Sequence, residues 1–194
     1  LNCHLATGRI GNPGMGPFSL TGQPNAMGGR EVGGLANMLA NHLEIGDEAH
    51  RSAVQGFWQS PTICTKPGLK AVDLFEACAD GRIKALWVIS TNPAVSLPDA
   101  DGVAAAIANV PFVVTSDIME KTDTNALADV LLPATGWGEK DGTVTNSERR
   151  ISRQRAFLPA PGDARSDWKI ISDVATRMGF SDAFSYGSSA DVFA

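Results

Sequence analysis

The sequence has few cysteines and no long apolar run. Cys3, Cys64 and Cys78 form no CxxC pair, and the three histidines lack ligand spacing. Both observations argue against a zinc site and a cysteine-bound cluster, because such sites need closely spaced ligands. We therefore expect no metal ligand in this chain, three cysteines buried as small apolar side chains, and a reducing compartment such as the cytoplasm. No apolar run approaches the length of a membrane span.

Positive charge and catalytic signatures are also scarce. The formal net charge is −5 and no basic stripe is present, which argues against nucleic-acid binding. No G-x-S-x-G hydrolase motif occurs. The 194 residues, 43% hydrophobic and 19% charged, suit one soluble globular domain. Because the chain opens at Leu1, without Met, on a pattern typical of a helix interior, we expect a piece of a longer protein.

Short apolar runs alternate with helical patterns along most of the chain. The runs predict buried strands at residues 84–90, 111–115 and 130–132, and an edge strand at 150–157. Helical periodicity predicts helices at 30–42, 47–59, 68–79, 98–109 and 166–178. This alternation predicts an α/β fold, a layered α/β/α domain with a mostly parallel sheet that further sequence would complete. Residues 1–24 are rich in Gly and Pro, which predicts irregular structure.

Polar residues follow the predicted strands. Ligands of open parallel sheets bind beyond the carboxyl ends of the strands. Asn92 follows the first strand and suits a phosphate or ribose, although it could also cap its own backbone in an Asx-turn. Ser116 and Asp117 follow the second strand, where Asp117 suits a ribose hydroxyl or a helix N-cap. Lys140 lies in the charged loop after the third strand and suits a phosphate, unless that loop is a solvated hairpin.

Further charged side chains lie close to these in the sequence. Asp167 starts the last predicted helix; its carboxylate could accept both N–H groups of a guanine edge, or merely complement the helix dipole. Arg149 and Arg150 add forked donors that suit an anion. A complete glycine fingerprint for a nicotinamide cofactor is absent, because Ser19 stands where residues 14–16, GMG, would need a third glycine.

An arginine lies between two glycine pairs near the start of the chain. Arg30 and Glu31 are flanked by Gly28-Gly29 and Gly33-Gly34, and glycine allows a close approach of backbones. We expect a carboxylate to anchor Arg30, which would then suit a small anion; the alternative is a structural ion pair at a helix start.

Three segments in order resemble the molybdopterin-guanine-dinucleotide oxidoreductases, and within them the assimilatory nitrate reductases. They are PFSLTGQPNAMGGREVGG at 17–34, STNPAVSLPD at 90–99 and GWGEKDGTVTNSERRISR at 136–153. The resemblance implies that part of one cofactor, its guanosine or phosphates, contacts five residues: Asn92, Ser116, Asp117, Lys140 and Asp167. It also implies that Arg30 lies near the path of nitrate to the metal.

The resemblance further implies a parent enzyme that reduces nitrate to nitrite at a molybdenum bis(molybdopterin guanine dinucleotide) centre. Residues 1–60 would line the substrate funnel, 61–180 would bind the cofactor, and 181–194 would lead to a further domain. An iron–sulfur cluster in a preceding region and an electron-donor protein would complete the parent, so this piece alone should be inactive. The alternatives are a formate dehydrogenase, a periplasmic nitrate reductase, a metal-free subunit of the same fold, or an unrelated nucleotide-binding module.

Overall fold

The computed structural model describes residues 1–17 and 22–194. Ser19 and the neighbouring part of the 17–34 segment lie outside the described residues. The helices are α1 (Asn2–Ala6), α2 (Ala26–Glu31), α3 (Glu48–Trp58), α4 (Ala71–Ala79), α5 (Pro93–Ser96), α6 (Ala100–Ala108), α7 (Asp167–Arg177) and α8 (Ser189–Phe193), with 3-10 turns at Ala40–His42, Asn125–Leu127, Trp137–Glu139 and Ser181–Phe184. The strands are β1 (Leu86–Ile89), β2 (Val113–Asp117), β3 (Val130–Pro133), β4 (Gly142–Thr145) and β5 (Ile151–Gln154).

Three strands form the predicted parallel sheet. Their order is β1-β2-β3, with Leu86 opposite Val113 and Val114 opposite Val130. The parallel α/β architecture expected from the sequence is thereby confirmed. Helices α5 and α6 connect β1 to β2, and a segment with the 3-10 turn Asn125–Leu127 connects β2 to β3.

The predicted edge strand at 150–157 is correct in place but belongs to a different sheet. β5 pairs antiparallel with β4, and the two form a separate hairpin. Strand β4 was not predicted, because its residues, GTVT, include only one apolar side chain and therefore form no apolar run.

The apolar core lies on one face of the parallel sheet. Helices α4, α5 and α6 pack there against β1 and β2, and Ile107, Cys78 and Val113 are essentially inaccessible. On the other face Ile89 and Val130 are each 37% exposed. A smaller cluster of Leu39, Ile45 and Val54 joins α3 to the segment before it.

The predicted helix at 30–42 is wrong. Helix α2 begins earlier, at Ala26, and ends at Glu31. Gly33 then takes φ +84°, a conformation that no helix contains and that glycine adopts at little cost. A Cβ on Gly33 would lie 2.7 Å from the backbone of Leu39 and Ala40, so the chain turns back on itself here.

Two of the three cysteines differ from expectation. Cys78 is buried, but Cys3 and Cys64 are exposed; Cys3 lies in α1, which has no buried residue, and Cys64 lies in a loop. Within residues 1–17 and 22–194, no three His, Cys, Asp or Glu side chains lie close enough to hold a metal ion. The helices of these residues are all too short or too polar to cross a membrane.

Candidate functional site at the carboxyl edge of the sheet

The parallel sheet places the loops after its three strands at one edge. Asn92 comes three residues after β1, Asp117 is the last residue of β2, and the segment Gly136–Lys140 follows β3. Because all three strands run in the same direction, their carboxyl ends meet at this edge. We call it the carboxyl rim.

Asn92 is fixed by a buried threonine rather than by its own backbone. Its Oδ1 accepts hydrogen bonds from Thr124 Oγ1 at 2.7 Å and from the Thr124 backbone N–H at 3.2 Å. Thr124 is fully buried, and its Oγ1 also accepts from the Ala94 N–H. The oxygen of Asn92 is thus occupied, while the side-chain amide can still donate to a ligand.

Strand β2 continues through both residues that the sequence placed in a loop. Ser116 is only 2% exposed, and its Oγ accepts a hydrogen bond from Trp87 Nε1 at 2.9 Å. Its side chain is therefore buried next to Trp87 of the neighbouring strand and is not exposed on the rim. Asp117 ends the strand, and its Oδ1 accepts from the Met119 N–H at 2.9 Å in a local turn. It does not cap a helix, the alternative expected from the sequence, because the next described helical element begins at Asn125.

Lys140 and Asp167, 27 residues apart, meet directly. Lys140 Nζ lies 3.1 Å from Asp167 Oδ2, and both side chains are about three-quarters covered. The second oxygen, Oδ1, is buried and has no hydrogen-bond partner among the described residues. Such an oxygen is costly unless something donates to it, so the pair is an incomplete polar site.

Backbone hydrogen bonds bring this pair to the rim. The Arg165 N–H donates to Pro133 O at 3.1 Å and the Thr135 N–H donates to Arg165 O at 3.0 Å, so the chain before α7 pairs with the end of β3. Glu139 Oε2 accepts from the Gly136 N–H at 2.7 Å and closes the turn that carries Lys140. Asp167 is the first residue of α7, where a carboxylate is favoured by the helix dipole.

The segment 155–158 supports the same turn from outside. The Phe157 and Leu158 N–H groups both donate to Gly138 O at 2.9 Å. A Cβ on Gly138 would lie 2.7 Å from the Phe157 ring, so a larger residue would require this exposed ring to move. Gln154 Nε2 donates to the carbonyls of Trp137 and Lys140, which ties β5 to the turn.

Arg30 lies apart from these residues, and the carboxylate expected to anchor it is elsewhere. Arg30 is exposed in the last turn of α2, and the described acidic side chains all lie beyond ion-pair distance of its guanidinium. Glu31 instead pairs with Arg149 Nη2 at 2.5 Å and lies 3.7 Å from His42 Nε2. Arg149, an expected anion donor, is therefore engaged within the protein.

A cavity of about 620 Å³ lies beside this ion pair. Glu31 and Val32 of α2 form one wall, and Arg149 and Ile151 of the β4–β5 hairpin form another. Trp168 of α7 and Phe193 of α8 also line it. Segment 181–194, expected to be a linker, thus contributes a helix to the cavity wall.

Sequence reasoning missed three residues that shape the rim. Thr124 holds Asn92, Trp87 covers Ser116, and Glu139 closes the turn before Lys140. Only Glu139 carried a local signal, because an acid three residues after a glycine can cap the turn between them. The other two contacts join residues about 30 positions apart.

A parallel α/β unit with polar side chains gathered at its carboxyl rim is typical of nucleotide-binding α/β proteins. The family model described as molybdopterin oxidoreductase matches residues 1–177. The chain belongs to this family.

Its relatives include enzymes named as nitrate reductases. The chain is 54% identical to the nitrate reductase of Klebsiella oxytoca over 193 residues, which cover 100% of this chain and 22% of that protein. It is 39% identical to the assimilatory nitrate reductase catalytic subunit of Bacillus subtilis, over 100% of this chain and 27% of that protein. The chain is 36% identical to an F420-dependent formate dehydrogenase 2 subunit alpha of Methanococcus maripaludis, over 98% of this chain and 28% of that protein. The chain thus spans between a fifth and three-tenths of these relatives.

A solved structure shows the same fold. The acetylene hydratase from Pelobacter acetylenicus superposes with a TM-score of 0.52 and 19% sequence identity, over 84% of this chain and 20% of that one.

Proposed function

We propose that this chain is part of a molybdenum-dependent nitrate reductase and that it holds the guanine-nucleotide end of one molybdopterin guanine dinucleotide. Membership of the molybdopterin oxidoreductase family implies the molybdopterin cofactor. The 54% identity to a nitrate reductase, against 36% to a formate dehydrogenase, favours nitrate as the substrate.

The observation that carries the nucleotide part of the proposal is the unpartnered oxygen of Asp167. Oδ1 is buried without a hydrogen-bond partner among the described residues, while Oδ2 is held by Lys140. Guanine presents two adjacent N–H donors on one edge, which a carboxylate can accept together. A guanine at this place would satisfy Oδ1, and Lys140 would keep the carboxylate ionised and oriented.

The other rim residues suit the rest of the nucleotide. The amide nitrogen of Asn92 can donate to a phosphate oxygen, because its oxygen is already occupied by Thr124. Asp117 uses one oxygen in its turn and offers the other to a ribose hydroxyl. Ser116 enters the proposal through the resemblance alone, because its hydroxyl is engaged by Trp87 inside the sheet.

The bound molybdenum cofactor supplies the redox chemistry by which nitrate loses one oxygen atom and becomes nitrite. The residues of this chain supply position and charge. Arg30, exposed and free of a described carboxylate, would attract the nitrate anion. In the proposed parent, residues 1–60 line the funnel, 61–180 hold the nucleotide and 181–194 lead to a further domain. An iron–sulfur cluster, an electron donor and a cytoplasmic location complete the proposal.

Replacement of Asp167 tests the nucleotide site. In the full-length protein, Asp167→Asn puts an amide donor against the donors of guanine, so we expect the GMP released by acid hydrolysis to fall by about tenfold or more per polypeptide. Asp173→Asn, on the same helix, removes a carboxylate that pairs with Arg165, away from the Lys140–Asp167 pair, and serves as the matched control. Wild-type GMP and molybdenum in Asp167→Asn would refute the guanine role.

Steady-state assays of the full-length protein test the substrate. Reduction of nitrate with an artificial electron donor, without oxidation of formate, is the expected result. Formate oxidation without nitrate reduction would favour the second candidate. A full-length protein that contains neither molybdenum nor GMP would favour a metal-free subunit.

A further inference from the structure

Helix α2, which carries Arg30, has little of its own to hold it in place. It contains six residues, two of them glycine, and none is buried. Helices this short are unstable in water when isolated. The direction in which Arg30 points must therefore be set by contacts with neighbouring elements.

Two polar links tie α2 to the β4–β5 hairpin, one at each end of the helix. At its start, the Thr145 N–H donates to Asn25 Oδ1 at 2.9 Å. At its end, Glu31 Oε1 lies 2.5 Å from Arg149 Nη2. Gly28 leaves room for the first link, because a Cβ there would lie 2.2 Å from Asn25 Oδ1. The same hairpin begins two residues after Lys140, so it connects the carboxyl rim to the helix of Arg30.

Arg149 lies in the turn of the β4–β5 hairpin, in a backbone conformation that is unfavourable for arginine. Its φ is +65°, in the left-handed region that arginine rarely adopts. Asn146 stabilises this turn: its backbone oxygen accepts from the Arg149 N–H at 3.0 Å, and its side-chain oxygen accepts from the Arg150 N–H at 3.1 Å. Strain that is kept in a folded structure often marks a functional constraint.

The pair also changes the electrostatics at Arg30. Glu31 is next to Arg30 in the chain, and an unpaired carboxylate there would repel an anion that approaches the guanidinium. Arg149 neutralises this carboxylate, and His42 lies 3.7 Å from its other oxygen. Arg30 then presents its positive charge without a competing negative one.

We propose that Arg149 is a positioning residue for anion recognition: through Glu31 it fixes helix α2 and masks the charge that would oppose nitrate at Arg30. The inference rests on the proposed function for the identity of the anion, but the link between hairpin and helix does not depend on it.

The geometry of this contact indicates which substitution of Arg149 should retain its effect on helix α2. The Arg149 guanidinium and the Glu31 carboxylate are close, but they are not aligned for a hydrogen bond. The contact is therefore an ion pair and not a bidentate hydrogen-bonded pair. Lysine supplies the same charge without the fork. We therefore expect Arg149→Lys to retain most of the effect and Arg149→Gln to lose it.

Hydrogen exchange of the full-length protein tests the link directly. In Arg149→Gln we expect amides of residues 26–34 to exchange about three to ten times faster than in the wild type, because a partly exposed ion pair is lost. Arg149→Lys should exchange almost as the wild type does. Arg153→Gln is the matched control: it removes an exposed arginine of the same hairpin, whose side chain lies outside the ion pairs of the described residues. Wild-type exchange at 26–34 in Arg149→Gln overturns the link.

Kinetics with nitrate test the role of the charge. Arg149→Gln should raise KM for nitrate by about three to ten times with little change in kcat, because it acts on the approach of the anion. Glu31→Gln combined with Arg149→Gln should restore part of the loss, because it removes the unpaired carboxylate. Faster exchange with an unchanged KM overturns the charge-masking part of the inference.

The two proposals fail in different ways. If the full-length wild type does not reduce nitrate, the proposed function is wrong, and exchange at residues 26–34 alone decides whether Arg149 fixes α2. If the wild type reduces nitrate and Arg149→Gln matches it in both measurements, the proposed function stands and the positioning role is refuted.

Discussion

The α/β unit and the segment that carries Arg30 are held together by different forces. Between α4 and β3, apolar side chains are removed from water, and Ile107, Cys78 and Val113 are almost completely buried. Between Asn25 and His42, only Leu39 is buried, and helix α2 contributes nothing to a core. Its place depends on the Glu31–Arg149 ion pair, on a hydrogen bond to Asn25 and on glycines that fit against the backbone.

This difference predicts how each region responds to change. Apolar burial depends on area and is not weakened by electrostatic screening, whereas partly exposed ion pairs are weak and are screened by salt. Stability is therefore uneven along the chain, and the Arg30 segment belongs to the part that opens most easily. Segments that must adjust to a ligand are drawn from that part. The rim loops lie between the extremes, because Thr124 anchors Asn92 to the core.

Removal of core volume should cause the largest loss. Ile107 is fully buried in α6, so Ile107→Ala should lower the free energy of unfolding by about 2–5 kcal/mol. Val32→Ala, at the end of α2 where Val32 is 70% exposed, should cost less than about 0.5 kcal/mol. Urea unfolding of the 194-residue chain measures both. Equal losses at the two positions would remove the distinction between the regions.

Two glycines of the Arg30 segment give a sharper contrast. Gly33 has φ +84° and a Cβ there would meet backbone atoms at 2.7 Å, so Gly33→Ala should destabilise the segment by about 1–2 kcal/mol. Gly29 lies inside α2 with open space around its Cβ position, so Gly29→Ala should stabilise the helix by about 0.5–1 kcal/mol. Amide exchange at Gly34, whose N–H donates to Gly29 O, reports both changes. Shifts in the same direction would contradict this account.

The α/β unit could be predicted from the sequence because its signals are local. The run KALWVIS contains β1, PFVVT overlaps β2, and the periodic apolar residues of 166–178 give α7 almost residue for residue. Parallel pairing then places Asn92, Asp117 and Lys140 at one edge without any knowledge of side-chain contacts. The parallel sheet, predicted from the apolar runs, and the family, indicated by the resemblance of three segments, are both confirmed.

The contacts between distant residues could not be predicted. Nothing local marks Glu31 as the partner of Arg149, 118 positions later, or Lys140 as the partner of Asp167. The helix predicted at 30–42 is wrong because the prediction gave the apolar spacing more weight than Gly33-Gly34. Gly33 adopts a positive φ, and the helix ends before it, at Glu31. Ser116 was placed at the rim because β2 was predicted to end at residue 115, two residues before its observed end at Asp117.

The N-terminus of α3 provides the smallest expected effect and tests the polar side of the comparison by pH. Asp47 caps this helix: its Oδ1 accepts from the His50 N–H at 3.1 Å and from the Ala49 N–H at 2.8 Å. The His50 hydrogen bond, followed by that of Ala49, holds the pKa of the Asp47 carboxyl below its ordinary value of 3.8. Because the folded pKa is lowered, the contribution of this cap is present above pH 3.8 and is lost as the pH falls through the folded pKa.

NMR titration of the Asp47 side-chain carboxyl, in the folded chain and in urea, should give the lower pKa in the folded state. Asp47→Asn keeps an oxygen acceptor that does not titrate, so helix 48–58 should lose this part of its acid sensitivity while it remains formed at neutral pH. A folded pKa equal to that in urea would show that the cap, although formed, contributes no pH dependence. The polar contacts of this half of the chain would then be weaker than its geometry indicates, and the contrast with the apolar core would be larger still.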